Sequence, residues 1–470
     1  MSDERQLLLR STDDPDEDVC PPTESHFSSL RQQSITPLPV EQITILFLIQ
    51  LSEHILSTVI YPFIAQLVNE TGITGGDESK IGYYVGLMES VFCLMESIFA
   101  LQYGRISDRI GRRPVLMFGL FGQTFSIFSI GLSKRFWHLV FSRASSGALN
   151  GNLGVSKSTI VELTDETNQA QAFSFLAILW SIGSTIGPFI GGTFSNPTKL
   201  FPRLFDTPFW NEYPYFLPCL MAATYSSCMF IITGLFLKET HNTQSEYAAS
   251  GNAEAEYGTT PSHTPSVETF GINPIGPHEA AIAYFGLVPV VFAVSVKNDG
   301  LGFSPRTIGL ILGLQGIITG VFQVFFFAPL HRRFGTKRLY VAGYLSYSAL
   351  ILSLPIMHGL VVLGMRRAVW VVMGLHIAIS CVAYMSFGCM AIFVNNSAPS
   401  KDALGTLNGI SQTTISITKM IGRVTATSLF SLSVERNILG GNLVYAFFVS
   451  IGCLGIYGSQ WLEEAGRAYE

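Results

Sequence analysis

Apolar stretches about 20 residues long, the length of a membrane-crossing helix, recur along this chain, and no other feature limits its fold so strongly. Six lie near 41–66, 81–103, 114–133, 136–160, 170–194 and 215–237. Six more lie near 279–297, 306–328, 339–358, 368–394, 404–430 and 440–461. Charged residues are 13% of the 470, about half the roughly 25% usual in soluble domains. So few charges cannot cover a soluble globule, and a lipid-facing surface is required. The expectation is an all-α membrane protein of twelve spans in two six-helix bundles, 39–238 and 278–462. Residues 1–38, rich in Ser, Asp, Glu, Pro and Gln, read as a disordered cytoplasmic tail rather than a cleavable signal peptide. Residues 239–277, rich in Ser, Thr, Gly and Asn, read as a cytoplasmic linker, and 463–470 as a cytoplasmic C-terminus. The seventh span is the least regular: Ala280 to Val296 is short, holds Pro289, and starts abruptly after Pro277-His278-Glu279. It reads as a tilted, broken or shortened helix.

Basic clusters set the orientation. Arg105, Arg109, Arg112 and Arg113 follow span two, and Arg332, Arg333, Lys337 and Arg338 follow span eight. With an even number of spans and a cytoplasmic tail, both clusters fall on the cytoplasmic side, as the positive-inside rule requires. Lys134-Arg135 and Arg366-Arg367 then face outward. The clusters also mark an internal repeat, since Arg109-Ile110-Gly111 matches Arg333-Phe334-Gly335 at equivalent places. Parallel six-span repeats around a central cavity are a transporter plan. The second copy is degenerate, with Arg332 where the first has Asp108.

The segment from Gly104 to Arg113 is expected to form a tight turn that both Gly104 and Gly111 permit. Its Asp108 either pairs with a neighbouring Arg, in a clasp that breaks when helices rearrange, or belongs to a solvated loop serving topology alone. Gly-x-x-x-Asp-Arg-x-Gly-Arg-Arg after span two resembles the signature loop of the major facilitator superfamily, with every defining position present. Gly183-Ser184-Thr185-Ile186-Gly187-Pro188-Phe189-Ile190-Gly191-Gly192 in span five resembles the motif of that superfamily's proton-driven drug antiporters. Small residues there allow close helix approach, and Pro188 permits a bend. Leu149-Asn150-Gly151-Asn152-Leu153-Gly154-Val155 and Asn395-Asn396-Ser397-Ala398-Pro399 are similar to fungal and plant members of the zinc-induced facilitator-like group. Together these resemblances cover most of 39–460 and imply a major facilitator fold. Three features depart from the group. Cys20 stands without a partner cysteine and the linker holds only His241 and His263, so zinc does not carry over as substrate; Arg423 replaces the group's Gly-Pro in span eleven; and span seven is shorter.

Charges inside spans are functional candidates, because each costs a few kcal/mol at least. Glu53 and His54 lie in the middle of span one, before Tyr61-Pro62; Glu89 and Glu96, seven apart, share one face of span two. Arg143 lies in Phe141-Ser142-Arg143-Ala144-Ser145-Ser146-Gly147, a segment that resembles the superfamily's span-four motif, and that resemblance implies a part in proton coupling. The expected arrangement has Arg143 beside a carboxylate, with Glu53 the first choice. Their separation would then switch protonation, because burial disfavours a charged carboxylate and a nearby guanidinium favours it. Glu53, Glu89 and Glu96 are equally open to a purely structural reading as hydrogen-bonding or helix-pairing groups. Lys419, one helical turn from Arg423, either meets an anionic substrate or snorkels to an interface; His54 and Asn150 are further candidate substrate contacts.

The expected function is secondary active transport, by alternating access, of a small molecule or ion against counter-transported protons. The alternative is a non-transporting sensor on the same scaffold. No nucleophile elbow, phosphate loop or metal cluster points to an enzyme, a cofactor or a bound metal. The net charge of -5 gives no reason to expect nucleic acid, and a monomer in the bilayer is expected. The seven cysteines form no CxxC and read as small packing residues. Asp3-Glu4-Arg5-Gln6-Leu7-Leu8-Leu9 resembles an acidic dileucine signal for a vacuolar or endosomal membrane, the plasma membrane being the alternative. Asn69-Glu70-Thr71 fits a glycosylation sequon.

Overall fold

A computed structural model of the protein describes residues 38–164, 168–240, 278–396 and 404–459, so the tail, residues 165–167, the linker beyond residue 240, the segment 397–403 (with Ser397-Ala398-Pro399) and the C-terminus lie outside the described residues. In hydrocarbon each backbone polar group must be satisfied within its own segment, and the apolar runs accordingly form helices. Span one is α1 (Val40–Thr58) continued by α2 (Ile64–Glu70). Between them Pro62, which has no N–H, interrupts the ladder, and Tyr61 and Phe63 donate instead to Thr58 and Ile60 at 3.2 and 3.1 Å. Span two is α3 (Ile81–Ile110) and span three is α4 (Arg112–Gly131). Span four is two helices, α5 (Phe136–Ala148) and α6 (Asn152–Leu163), parted at Leu149-Asn150-Gly151. Span five, α7 (Gln169–Thr193), runs unbroken through Pro188, and span six is α8 (Phe216–Phe236).

The second group begins with α9 (His278–Ala293). Its 16 residues fall short of a full crossing. The segment after it folds back, with Leu301 and Phe303 donating to the Val291 and Phe292 carbonyls at 2.8 Å. Spans eight and nine form α10 (Pro305–Val362), kinked at Gly335; then come α11 (Arg366–Asn396), α12 (Leu404–Glu435) and α13 (Leu443–Ser459). Among the described residues five helical segments are long and apolar enough to cross a bilayer, by length and composition. Large side chains such as Phe121, Phe125, Trp137 and Phe325 are exposed, as a lipid-facing surface requires.

The turn between spans two and three is shorter than expected. Gly104 lies inside α3, and Gly111 alone makes the turn, at φ 100° and ψ 162°. That backbone region is essentially restricted to glycine. Gly335 occupies the same region at φ 77° and ψ 164°. The repeat extends to side chains: Arg112 donates to the Ser107 hydroxyl, and the equivalent pair, His331 and Thr336, lies 2.8 Å apart.

Two helix pairs form the seam between the halves, α3 against α12 and α7 against α10. Helices α3 and α12 run antiparallel, from Gly82 against Ser431 to Glu96, whose carboxylate accepts from Ser416 at 3.2 Å. Helices α7 and α10 touch from Gly192 against Gly309 to Ser181, which donates to the Gly316 carbonyl at 3.3 Å. Tyr83 and Glu435 join across the seam at 3.2 Å. The halves are therefore closed at the end remote from Arg112. A pocket of about 300 Å³ at that end lies between Gln66, Asn69 and Glu78 of one half and Ser295, Phe303 and Ser304 of the other. Asn69, at the last turn of α2, is half-buried, and its side-chain oxygen accepts from Thr74 at 3.0 Å.

Candidate functional site

Residues seven apart sit two turns apart on one helix face, roughly 10 Å along the axis. Three such rows meet at the seam: Glu89 and Glu96 on α3; Arg143, Asn150 and Lys157 on span four; and, on α12, Arg423 and Ser416. They build a ladder of polar rungs.

The first rung is a buried triad. Glu89 receives Arg143 on one carboxylate oxygen and Arg423 on the other. Their side chains are 3% (Arg143), 12% (Arg423) and 6% (Glu89) exposed, so each charge depends on its partners rather than on water. Arg423 also donates to the Tyr61 hydroxyl at 3.1 Å, beside the interruption in span one. Arg143 lies over the Phe92 ring at 4.5 Å.

The second rung is built on the break in span four. With α5 ended at Ala148, the Asn150 side chain turns into the seam, and its amide nitrogen donates to Glu53 and to Glu96, each at 2.9 Å. Gln123 donates to the Asn150 oxygen at 2.6 Å and fixes which way the amide points. The second oxygen of Glu53 is buried without a partner. Two carboxylates on one amide nitrogen repel if both are charged, and a proton on either relieves the repulsion.

Lys157 forms the third rung, donating to Gln412 of α12 at 3.4 Å. Lys419 lies on the same seam, one turn from Arg423.

Arg143 and Glu53, expected to be neighbours, stand on different rungs; the carboxylate beside Arg143 is Glu89. The reason is their level along the seam: Arg143 lies two turns from Asn150, the actual partner of Glu53. Glu89 and Glu96 share a face as their spacing predicts, and both are buried. Lys157 and Gln412 were missed. The seven-residue repeat Arg143, Asn150, Lys157 is the signal that points to the lysine.

The span-five glycines form two contacts. Gly183, Gly187 and Gly191, four apart, lie against His54, Thr58 and Val59 of span one. Thr58 donates to the Gly183 carbonyl at 3.2 Å. Gly192 meets Pro305 and Gly309, and the Pro188 carbonyl also faces Gly309. Helix α7 is thus wedged between span one and the other half. Beside it, Trp180 touches Phe285, Tyr384 and Phe387, with ring centroids 6.0, 5.3 and 5.9 Å away.

At the basic end Arg112 pairs with Asp108 at 2.7 Å and with Glu162 at 2.6 Å. Glu239 accepts from the Arg112 and Arg113 amides at 2.7 and 3.1 Å, capping α4 where the helix dipole favours a carboxylate. Arg113 donates to the Gly234 carbonyl. Glu162 and Glu239 were not anticipated. Every one of these contacts lies within one half. Arg109 is exposed. No group of three or more His, Cys, Asp or Glu side chains suited to a metal occurs among the described residues.

A profile of the Major Facilitator Superfamily matches residues 46–422. The efflux pump azaK of Aspergillus niger is 27% identical, over 99% of this chain and 96% of that protein. ZINC INDUCED FACILITATOR-LIKE 1 of Arabidopsis thaliana is 26% identical, over 84% of this chain and 86% of that protein. The structure of a D-xylose-proton symporter superposes with a TM-score of 0.66 at 16% identity, covering 92% of this chain and 99% of that one, a likeness of fold.

Proposed function

The chain belongs to the major facilitator superfamily, and on that footing we propose that it is a proton-coupled secondary transporter, exchanging a small solute for protons by alternating access. The observation that carries this reading is the second rung, where Glu53 and Glu96 share the Asn150 amide at the seam. A proton held by this pair is released when the halves part and water reaches the two desolvated carboxylates. The first rung couples that event to the remote end, because Arg423 and Glu89 belong to opposite halves. The end bearing Arg112 faces the cytoplasm. His54, Asn150 and Lys419 face the solute. The relative named an efflux pump supports export as the direction. A vacuolar or endosomal membrane is the proposed location, and removal of Leu7 and Leu8 then redirects the protein to the cell surface.

Flux into proteoliposomes under an imposed pH gradient, screened over metals, polyamines, organic acids and drugs, tests the reading. Wild-type flux should follow the gradient. Glu53→Gln should keep solute exchange and lose its response to the gradient. Equal loss of binding and of exchange in that variant removes the proton role, and absence of gradient-driven flux in every class favours a sensor.

A further inference from the structure

Four basic side chains, Arg143, Lys157, Lys419 and Arg423, share the seam with three carboxylates, Glu53, Glu89 and Glu96. Among the described residues each carboxylate already has a partner other than a lysine, and only the second oxygen of Glu53 is left over. Glu89 is taken by both arginines, and Glu53 and Glu96 are held by Asn150, with Ser416 on the second oxygen of Glu96. Among the described residues neither lysine has a carboxylate within 4 Å, and the one hydrogen bond to either is the long contact from Lys157 to Gln412. Two half-buried ammonium groups thus stand on opposite halves, on α6 and α12, short of acceptors. Withdrawing a charge from water without a partner is costly, and an anion between them would remove that cost.

A second feature adjoins them. Trp180 lies just under one turn from Gly183, which packs on His54, the neighbour of Glu53. Phe285 precedes Gly286, against which Arg423 packs, one turn from Lys419. Phe387 is 38% exposed although it touches both Trp180 of one half and Phe285 of the other, which leaves part of its ring uncovered where the two halves meet. The aromatic cluster on this seam is drawn from both halves, a surface suited to a flat apolar ring.

We infer that the central site takes an aromatic organic anion, its acidic group between Lys157 and Lys419 and its ring against Trp180, Phe285 and Phe387. This rests on the transporter reading and names the class of its solute. The anionic group supplies the acceptors both lysines lack, and the aromatic wall supplies contact area without a competing charge. Because each half contributes one lysine, a bound anion draws the halves together around itself.

Equilibrium dialysis of the full-length protein in nanodiscs against radiolabelled 1-naphthoate, 1-naphthamide and 1-naphthylmethylammonium tests the inference without requiring transport. Naphthoate should bind at least tenfold more tightly than the amide or the amine. Lys157→Gln and Lys419→Gln should each weaken naphthoate about tenfold and leave the amide unchanged. Lys157→Arg and Lys419→Arg should retain much of the preference, which separates charge from fold. Trp180→Ala should weaken acid and amide alike. No naphthoate binding up to millimolar concentration, equal binding of acid and amide, or tighter binding of the amine overturns the proposal. Gradient-driven flux of the amine alone would overturn it and leave the transporter reading standing. Naphthoate binding without flux of any solute would do the reverse.

Discussion

Arg423 reaches across the seam to the same Glu89 carboxylate that Arg143 holds from within its own half. One negative charge lies between two positive ones, and the Nε atom of each guanidinium is buried without a partner. When the halves separate at this end, Glu89 keeps Arg143 and loses Arg423. The contact therefore belongs to one conformation only, and its two arms differ in what their removal does.

Glu89→Gln leaves two buried guanidinium groups without a counter-charge, which costs about 3–5 kcal/mol. Arg423→Met instead removes the surplus charge and leaves the Arg143–Glu89 pair intact. The expected order of thermal unfolding in detergent is wild type near Arg423→Met, with Glu89→Gln several degrees lower. Equal losses in the two variants would mean that the three groups act as separate pairs.

Asn150→Leu removes the donor that Glu53 and Glu96 share. A hydrogen bond to a charged group contributes about 1.5–3 kcal/mol, which corresponds to roughly a ten- to hundredfold fall in pH-driven flux. Exchange at equal pH on both sides should fall less, because the solute contacts on α12 and α7 remain. A proportional loss in both assays would place Asn150 in solute binding alone.

Gly104 and Gly111 separate experimentally. A Cβ at Gly104 meets nothing within 4 Å on a helix, so Gly104→Ala should raise stability by about 0.5–1 kcal/mol through helix propensity. A Cβ at Gly111 is strained by φ and lies 2.6 Å from the Glu239 carboxylate that caps α4. Gly111→Ala should lower both stability and transport. Gly335→Ala should cost less than Gly111→Ala, since the same strain there comes without a crowded neighbour.

The spans, the repeat and the in-membrane charges are legible in the chain because hydropathy and cluster position are local properties. The turn at 104–113 was only half legible. Gly104 and Gly111 look alike in sequence, and only the path of α3 shows that one is helical. The partner of Arg143 was not legible, because it depends on which carboxylate of spans one and two stands at the same level of the seam, and that is set by helix packing and not by local sequence. Lys157 is legible only when its seven-residue spacing to Arg143 and Asn150 is set beside that of Glu89 and Glu96, because a lone lysine near a span end carries no local sign of a buried role. Glu162 and Glu239 lie 50 and 127 residues from Arg112, and nothing local indicates those distant pairings.

Arg112 is the hub of the basic end, and its two acidic partners are not equivalent. Asp108 is 61% exposed and one turn away on the surface, where an ion pair contributes about 0–1 kcal/mol. Glu162 is 17% exposed, its Oε1 accepts from both Nε and Nη2 of Arg112 at 3.0 and 2.6 Å, and its Oε2 accepts from Thr240 at 2.7 Å, a partly buried charge-assisted contact stronger than a surface pair. Glu162→Gln should therefore lower the unfolding temperature and the transport rate together. Asp108→Asn should leave unfolding nearly unchanged, because its pair contributes little in the present conformation. Its transport rate should still fall, and by more than with any single change at Ala328, His331, Arg332 or Thr336, because only the first copy carries an acid that the opposite half can meet when the basic end closes. Initial rates in proteoliposomes alongside unfolding in detergent decide the matter. An Asp108→Asn protein with wild-type rates would reduce the cluster to an anchor of topology, and one that unfolds as early as Glu162→Gln would make Asp108 part of the static brace around Arg112.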